Sequence, residues 1–432
     1  MSTTRIDREL PAILDDLYLG PSPDYRDEVL AVAVRRRQRP SWTFPGRWLP
    51  MLDVAVRPVT TTRPLIRPLA VALLILVLLL AALAFAGSRP RLPEPFGPAR
   101  NGLITWALDG DIYVGDPATG SVRRAVAGDD IDRNPVFSRD GTHLAFLRQV
   151  PNQTGKFDLV VTDDAGAGAR SLTPVPVQLP EAVEWAPDGR SLLVNDQNAR
   201  LLRFSLDGSA PAVLLENAHL QPDAFRPPHG DEILYARTDD LGALYVMKAD
   251  GSEPRELFGP RTAPCACALA GPARWSPDGR TVAFSVNPDG LQQRLFVVGA
   301  DGEGLRQVAD AEGVWAENDP AWSPDSERLA FNRWERSGAG DWAVRPIGIA
   351  NVRGGSIRPV GMSPAAEGAI IEWAPDGESI LSLPGTLVEA FTWSPNANGT
   401  VARPVVIDVA TGGSRLLDWS VGSIASWQRL GS

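Results

Sequence analysis

The chain has 432 residues, a formal net charge of −10 and an apolar fraction of 44%. An acidic balance of this size argues against nucleic acid as a partner, because it repels the phosphate backbone. The three His and two Cys residues are too few and too scattered to predict a zinc site.

Residues 1–68 are predicted to form a cytoplasmic segment with two short helices. They carry 11 Arg against 8 Asp and Glu, a net of +3, while the rest of the chain carries −13. Apolar residues recur at helical spacing between about residues 5 and 19. A second helix is expected from Ser22, a good N-cap, with Pro23 at the first helical position, to about Gln38.

An aromatic stretch follows these predicted helices. Trp42, Phe44, Arg47 and Trp48 stand close together in an Arg- and Pro-rich sequence. Trp and Arg dominate binding hot spots, so the four residues are candidates for binding a protein partner. Aromatic residues also collect at membrane interfaces, so the same stretch fits a belt lying on the inner leaflet. Both interpretations stay open on the sequence alone.

Residues 69–87 are predicted to form a transmembrane helix. This segment has no charged residue, and its 19 residues would extend about 28 Å as a helix. Arg residues are in excess before it, which places the N-terminus in the cytoplasm and the rest of the chain outside. Residues 88–99 contain four Pro and are predicted to be a stiff linker.

A short phrase then recurs through residues 100–432. Its clearest copies are Trp-Ser-Pro-Asp-Gly at 275–279 and Trp-Ala-Pro-Asp-Gly at 185–189 and 373–377, with successive aromatics 40 to 54 residues apart. This period, with short strands, is typical of a β-propeller with one blade per repeat. The repeat positions predicted to be structural are Phe137, Asp140, Gly141, Trp185, Asp188, Gly189, Phe225, Trp275, Asp278, Gly279, Trp322, Asp325, Trp373, Asp376, Gly377 and Trp427.

A second hairpin interleaves with the first and indicates how the ring closes. Each copy is an apolar strand that runs into a Gly-containing turn, beginning at Ile112-Tyr113-Val114. The series begins with the second hairpin and ends with the aromatic strand at Trp427, so the two ends are expected to complete one blade. The prediction is an all-β, seven-bladed propeller, or a six-bladed one if the loose unit at 222–258 is merged with a neighbour.

The Trp-Ser-Pro-Asp-Gly phrase followed by an Ala-Phe strand resembles the TolB-type propeller repeat, over about residues 100–432. That repeat also forms the non-catalytic propeller of prolyl oligopeptidase relatives. The resemblance implies a propeller fold rather than a particular activity.

The N-terminal segment has a separate resemblance. Pro-Asp-Tyr-Arg-Asp at 23–27 and Arg-Gln-Arg-Pro-Ser-Trp-Thr-Phe-Pro at 37–45 look like the start of bacterial membrane regulators of the anti-sigma type, in a form without zinc ligands. This resemblance implies a cytoplasmic regulator, such as a sigma factor, as the partner.

The sequence contains no recognisable catalytic constellation. No Gly-x-Ser-x-Gly elbow occurs and no hydrolase domain follows the propeller. We therefore expect no enzyme activity, no cofactor and no metal, and a function in ligand binding with sensing or regulation. The alternative is an envelope scaffold without signalling. Titratable side chains converging on one propeller face would revive an enzyme hypothesis.

Two smaller features remain undecided. Cys265 and Cys267 are separated by one residue and are compatible with a strained disulfide or with free thiols. Five tryptophans lie outside the repeat positions and fit either the propeller mouth or packing between blades: Trp106, Trp315, Trp334, Trp342 and Trp393.

Overall fold

The computed structural model divides into two compact units, Met1–Ala81 and Ala82–Ser432. It describes residues 74–75, 94, 96–172, 177–178, 182–196, 198–237, 240–259, 268–287, 292–308, 315–336, 342–361, 370–383, 403–422 and 426–431. Among these residues, no helix has both the length and the apolar character needed to cross a bilayer. The predicted segment 1–68, nearly all of 69–87, and Cys265 and Cys267 lie outside the described residues.

Seven antiparallel sheets make up the second unit, one for each predicted blade. Blade 1 contains β1 (Arg100–Leu108), β2 (Asp111–Gly115), β3 (Val122–Val126) and β31 (Ser426–Leu430). Blade 2 contains β4 (Asp132–Phe137), β5 (His143–Gln149), β6 (Lys156–Asp163), β7 (Arg170–Ser171) and β8 (Val177–Gln178). Blade 3 contains β9 (Ala182–Trp185), β10 (Ser191–Asn195), β11 (Leu201–Ser205) and β12 (Ala212–Leu215).

The remaining blades follow in chain order. Blade 4 contains β13 (Ala218–Phe225), β14 (Glu232–Arg237), β15 (Asp240–Lys248) and β16 (Arg255–Phe258). Blade 5 contains β17 (Ala268–Leu269), β18 (Arg274–Trp275), β19 (Thr281–Asn287), β20 (Arg294–Gly299) and β21 (Arg306–Gln307). Blade 6 contains β22 (Trp315–Trp322), β23 (Arg328–Arg336), β24 (Trp342–Val344), β25 (Ile347–Asn351) and β26 (Arg358–Val360). Blade 7 contains β27 (Ile370–Trp373), β28 (Ser379–Leu383), β29 (Val405–Asp408) and β30 (Ser414–Leu416).

The predicted all-β, seven-bladed propeller is confirmed, and the six-bladed alternative is wrong. The loose unit at 222–258 belongs to a complete four-stranded sheet of its own, β13 to β16, with Phe225 2% exposed in its core. Its irregular sequence coincides with a register shift between Leu220 and Phe225 in the inner strand. The shift accommodates the extra residues without removing the blade.

Each repeat phrase forms the turn of the hairpin between the first and second strands of a blade. In blade 5, Ser276 Oγ donates to Asp278 Oδ1 at 2.6 Å, and the same oxygen accepts the backbone N–H of Arg280 at 3.1 Å. Gly279 follows with a φ of 67°, a conformation that favours glycine. The turn then returns the chain in register, with Trp275 opposite Val282.

The repeat tryptophans join neighbouring blades through their indole groups. Trp275 Nε1 donates to the carbonyl oxygen of Ala224, the residue before the aromatic of the preceding blade, at 3.1 Å. The same bond links three further pairs of blades: Trp185 to Val136, Trp322 to Arg274 and Trp373 to Ala321. Each bond satisfies a carbonyl on an inner strand while the ring fills the space between sheets.

The ring closes by pairing the first strand with the last. β31 lies against β1 with Trp427 opposite Ile104, so blade 1 takes its inner strand from the C-terminal part of the chain. Gln428 secures this joint, since its Nε2 donates to the carbonyl of Gly141 in blade 2 at 2.8 Å. Pairing both strands removes two open sheet edges, as the order of the hairpins predicts.

Two of the tryptophans outside the repeat positions, Trp106 and Trp334, are packed inside the propeller rather than exposed at its mouth. Trp106 is 1% exposed and stacks on Trp419, with ring centroids 5.0 Å apart. Trp334 is 7% exposed and donates to Asn318 Oδ1 at 3.3 Å.

Candidate functional site

The strands that carry the repeat aromatics form the inner ring of the propeller. Each inner strand contacts the next around the axis, in the order β31, β4, β9, β13, β18, β22 and β27. The ring is closed between β27 and β31, where Glu372 accepts the backbone N–H of Trp427. Alternate residues of a strand point to opposite sides, so the residue before each buried aromatic lies away from it. In three blades that residue is charged: Glu184 before Trp185, Arg274 before Trp275 and Glu372 before Trp373.

A chain of ion pairs runs across blades 2 to 5. Arg139 Nη2 donates to Glu184 Oε1 at 2.8 Å and to Asp223 Oδ1 at 2.6 Å. The other oxygen of Asp223, Oδ2, accepts from Arg274 Nη1 at 2.5 Å. The Asp223 side chain still keeps 35% of its surface exposed, so the ion pairs face open space at the axis.

The charged groups in this series of ion pairs shift the pKa values of one another. Burial alone would raise the pKa of Asp223, but the guanidinium groups of Arg139 and Arg274 outweigh it and hold the pKa well below its usual range. Burial raises the pKa of Glu184, and Arg139 opposes that rise only in part. Asp223 is therefore the firmly ionised carboxylate of the group.

Blades 6 and 7 add two carboxyl groups whose hydrogen-bond partners are neutral. Glu372 Oε1 accepts the backbone N–H of Trp427 at 3.3 Å, and Asp319 Oδ2 accepts from Asn332 Nδ2 at 3.2 Å. Burial raises the pKa of Glu372 to about 7 and also raises the pKa of Asp319.

Five inner strands and the turn after β4 thus assemble a mixed charged cluster at the axis, which we call the axial cluster. Its members are Arg139, Glu184, Asp223, Arg274, Asp319 and Glu372. Arg274 acts electrostatically on both Asp319 and Glu372, so blades 5 to 7 belong to the same site. The Nε of Arg274 is buried and has no hydrogen-bond partner among the described residues.

A cavity of about 350 Å³ lies on the side of the ring where the repeat turns gather. Its lining comes from the turns of blades 4 to 6 and from the chain just before β1: Glu94, Phe96, Gly97, Pro98, Pro228, Pro277, Asp278, Pro324, Asp325 and Ser326. Within the part of the chain that the structure describes, no group of three or more His, Cys, Asp or Glu side chains is arranged to hold a metal ion.

The residues predicted to bind a partner, Trp42, Phe44, Arg47 and Trp48, lie outside the described residues. The repeat residues lie in the turns and between blades, as in the hairpin of blade 5. Sequence reasoning missed the axial cluster. The available signal was a charged residue directly before a buried Trp, as in Glu-Trp-Ala-Pro-Asp at 184–188 and 372–376.

Comparison with known proteins gives a fold and not a family. No family model matches the chain. Among curated proteins, the uncharacterized protein Atu1656 of Agrobacterium fabrum is 26% identical over 181 residues, which cover 40% of this chain and 56% of that protein. The uncharacterized peptidase YuxL of Bacillus subtilis is 38% identical over 56 residues, covering 13% of this chain and 8% of that protein. The chain thus matches less than two thirds of the length of either relative.

Solved structures share the propeller at low sequence identity. A structure from a study of two prolyl endopeptidases is 14% identical and covers 76% of this chain and 50% of that chain, with a TM-score of 0.53. Oligogalacturonate lyase in complex with manganese is 17% identical over 74% of this chain and 84% of that chain, with a TM-score of 0.51. TolB from Acinetobacter baumannii is 12% identical over 78% and 68%, with a TM-score of 0.41. The neighbours with TM-scores above 0.5 share the propeller fold, and the strand pairing of this chain gives it seven blades.

These comparisons correct the expectation that the chain is not an enzyme. That expectation was wrong, because propellers of this fold occur in oligogalacturonate lyase and in peptidases, and one curated relative is named a peptidase. The lack of a recognisable triad or hydrolase domain says nothing about chemistry on the axis of the ring. The axial cluster is a convergence of titratable groups of the kind that an enzymatic propeller would need.

Proposed function

We propose that the propeller recognises a small polar solute that carries an amine, such as an amino acid or short peptide, at its axial cluster. The observation that carries this proposal is Glu372. Its carboxyl group lies among the inner strands, yet it accepts a hydrogen bond from a neutral backbone N–H, and burial raises its pKa to about 7. A ligand ammonium group would supply the positive charge that the carboxyl lacks.

The neighbouring residues suit the rest of such a ligand. Asp319, whose pKa burial also raises, offers a second acceptor for the amine. The Arg274 side chain keeps 26% of its surface exposed, and its guanidinium group offers a donor for a ligand carboxylate. A ligand with both groups therefore complements blades 5 to 7, while the ion pairs of blades 2 to 5 hold Arg274 in place.

Calorimetric titration of the full chain with glycylglycine and with N-acetylglycylglycine tests this proposal. We expect the free amine to bind at pH 8 and the acetylated peptide to bind at least tenfold more weakly. Binding of the free amine should weaken at pH 6, because Glu372 is then mostly protonated. Glu372→Gln should lose at least tenfold in affinity, and Asp188→Asn, in an exposed turn of blade 3, should not. Equal binding of both peptides would refute the proposal.

A second candidate function is catalysis at the same place. A carboxyl group with a pKa near 7 is suited to accept and return a proton at neutral pH, and the Arg274 guanidinium group could hold an anionic substrate beside it. Mass spectrometry of short peptides and of oligogalacturonate incubated with the chain tests for turnover. Product that forms with wild type and disappears with Glu372→Gln would support catalysis.

We also propose that residues 69–87 anchor the chain in the membrane, with residues 1–68 in the cytoplasm and the propeller outside. The uninterrupted apolar run and the excess of Arg before it support this arrangement. Protease treatment of intact spheroplasts should remove the propeller and spare an epitope at the N-terminus. Protection of the propeller would contradict the proposed orientation.

Ligand binding outside would then be reported by a protein partner inside, in a sensing or regulatory role. Trp42, Phe44, Arg47 and Trp48 are the proposed contact residues, and a sigma factor is the proposed partner class. Pull-down with the full chain in detergent, with Arg47→Ala/Trp48→Ala as the matched variant, tests this role. Loss of a specific partner in the variant supports regulation, while no specific partner in either chain favours a scaffold.

A further inference from the structure

The segment before β1 lies across the turn side of the ring. This segment, the axial strap, consists of Glu94, Phe96, Gly97 and Pro98. Arg429 in blade 1 holds it, because its Nη2 donates to the carbonyl oxygens of Glu94 at 3.1 Å and Gly97 at 2.6 Å. The Phe96 ring lies against blade 2, with its centroid 5.1 Å from Cζ of Arg139.

The strap also reaches the opposite side of the ring. Together with Pro228, Pro277 and Pro324, from the turns of blades 4, 5 and 6, it lines the open cavity of about 350 Å³. Phe96 packs in addition against the core cluster formed by blades 3 and 4. A segment that contacts blades 1 and 2 as well as blades 4 to 6 has to cross the axis, so the strap lies over this end of the propeller axis.

The strap and the axial cluster share an arginine. Arg139 presents its guanidinium group to Phe96 and at the same time donates to Glu184 and Asp223. Arg429, which holds the strap backbone, is close enough for Arg139 and Asp223 to act on it electrostatically. The strap therefore contacts Arg139, the first residue in the series of ion pairs, and its release would expose or shift that residue.

We propose that the axial strap is a lid that closes this end of the propeller axis and is coupled to the axial cluster through Arg139 and Arg429. When the strap is docked, a solute reaches the cluster from the other face; when it is released, the turn side opens. The lid regulates the site proposed above, but its docking depends on contacts made by the chain itself. Its test therefore needs no ligand, and it can fail while the proposed binding stands.

Chymotrypsin tests docking directly, because it cleaves after Phe and the Phe96–Gly97 bond lies in the strap. The full chain in detergent micelles is digested briefly, and the fragment that begins at Gly97 is quantified by mass spectrometry. Arg429→Gln should raise the initial rate of this cleavage at least tenfold, and Arg429→Lys should give an intermediate rate. The matched control is Arg415→Gln, since Arg415 Nη2 also donates to a backbone carbonyl, that of Pro117, at 2.5 Å.

The coupling is tested by a second pair of variants. Arg139→Gln should also raise the cleavage rate, whereas Arg226→Gln should not, although Arg226 likewise stacks on an aromatic ring, that of Trp275, at 5.4 Å. Thermal melting followed by Trp fluorescence identifies any variant that loses the propeller. A folded Arg429→Gln chain that is cleaved at the wild-type rate would overturn the lid. A folded Arg139→Gln chain cleaved at the wild-type rate would overturn the coupling.

Discussion

Replacement of Asp223 by Asn should destabilise the propeller by removing one negative charge that two arginines share. Asp223 accepts hydrogen bonds from Arg139 at 2.6 Å and from Arg274 at 2.5 Å, one on each carboxylate oxygen. Asn preserves the size of the side chain and tolerates the φ of 52° at this position, so the backbone is not the variable. What changes is the charge.

The size of the effect follows from the geometry and the exposure. A hydrogen bond to a charged group contributes about 1.5–3 kcal/mol when buried. The 35% exposure of the Asp223 side chain lets solvent screen both bonds, and Asn retains one acceptor. We therefore expect the free energy of unfolding to fall by about 2 kcal/mol, well short of the cost of a fully desolvated pair.

Urea unfolding of both chains at pH 7, followed by Trp fluorescence, measures this difference. The pKa of Asp223 is depressed in the folded state, so its contribution is complete above the unfolded pKa, near 4. It is then lost as the pH falls toward the folded pKa. The difference between wild type and Asp223→Asn should be constant from pH 5 to pH 8 and should shrink below about pH 4.

The control is Asp188→Asn in the exposed turn of blade 3, where Oδ1 accepts the N–H of Arg190 at 2.9 Å. Asn can make the same bond, so the change should stay within about 0.5 kcal/mol. Equal stability of Asp223→Asn and wild type at pH 7 would refute the view that this carboxylate holds the inner strands of blades 2, 4 and 5 together. A larger loss in Asp188→Asn than in Asp223→Asn would refute it as well.

Three further outcomes can be measured by unfolding experiments on other variants. Burial raises the pKa of Glu372 to about 7 in the folded state, so the free energy of unfolding of wild type should fall as the pH rises from 5 to 8. Glu372→Gln should lose that pH dependence in urea titrations. Identical pH dependence in the two chains would contradict this expectation. Gly141→Ala places a methyl group 2.2 Å from a backbone carbonyl oxygen of blade 1, whereas Gly208→Ala meets nothing within 4 Å at a similar positive φ. The first should lower the melting temperature clearly more than the second, because Gly208→Ala costs only about 1 kcal/mol through backbone strain. Trp275→Phe leaves a buried carbonyl of blade 4 unpaired and should cost about 1–3 kcal/mol. Trp427→Phe should cost less in urea unfolding, because its longer bond of 3.3 Å stays within its own blade.

The fold could be predicted from the sequence because its signals are periodic. One aromatic per repeat, Pro and Asp in the turn and an apolar strand after it specify a hairpin in each blade, as for Trp275 opposite Val282. The chain order of the two kinds of hairpin also predicted the pairing of β31 with β1. The number of blades remained open at 222–258, because the phrase there has Phe225 in place of Trp and a turn that is one residue longer and lacks Asp.

The axial cluster could not be predicted in the same way, because its members come from separate blades and take different positions in the repeat. Glu184, Arg274 and Glu372 directly precede an aromatic, but Asp223 stands two residues before Phe225 and Arg139 follows Phe137 in the turn. Only the ring brings them together. The position before the aromatic is Ala in blades 4 and 6, so the sequence has no repeating pattern that marks it as functional.

Closure of the ring by β31 has a consequence for the biogenesis of the chain. Blades 2 to 7 can each form from contiguous sequence as it is synthesised, but blade 1 joins residues 328 positions apart, as in the pairing of Asn101 with Arg429. Until β31 is available, a nascent chain keeps an unpaired β1 edge and an open ring. Pairings of such long range form slowly, and an exposed edge attracts other strands. A chain that stops before β31 therefore exposes an unpaired β1 edge, which cellular proteases and chaperones can recognise in an incompletely synthesised protein.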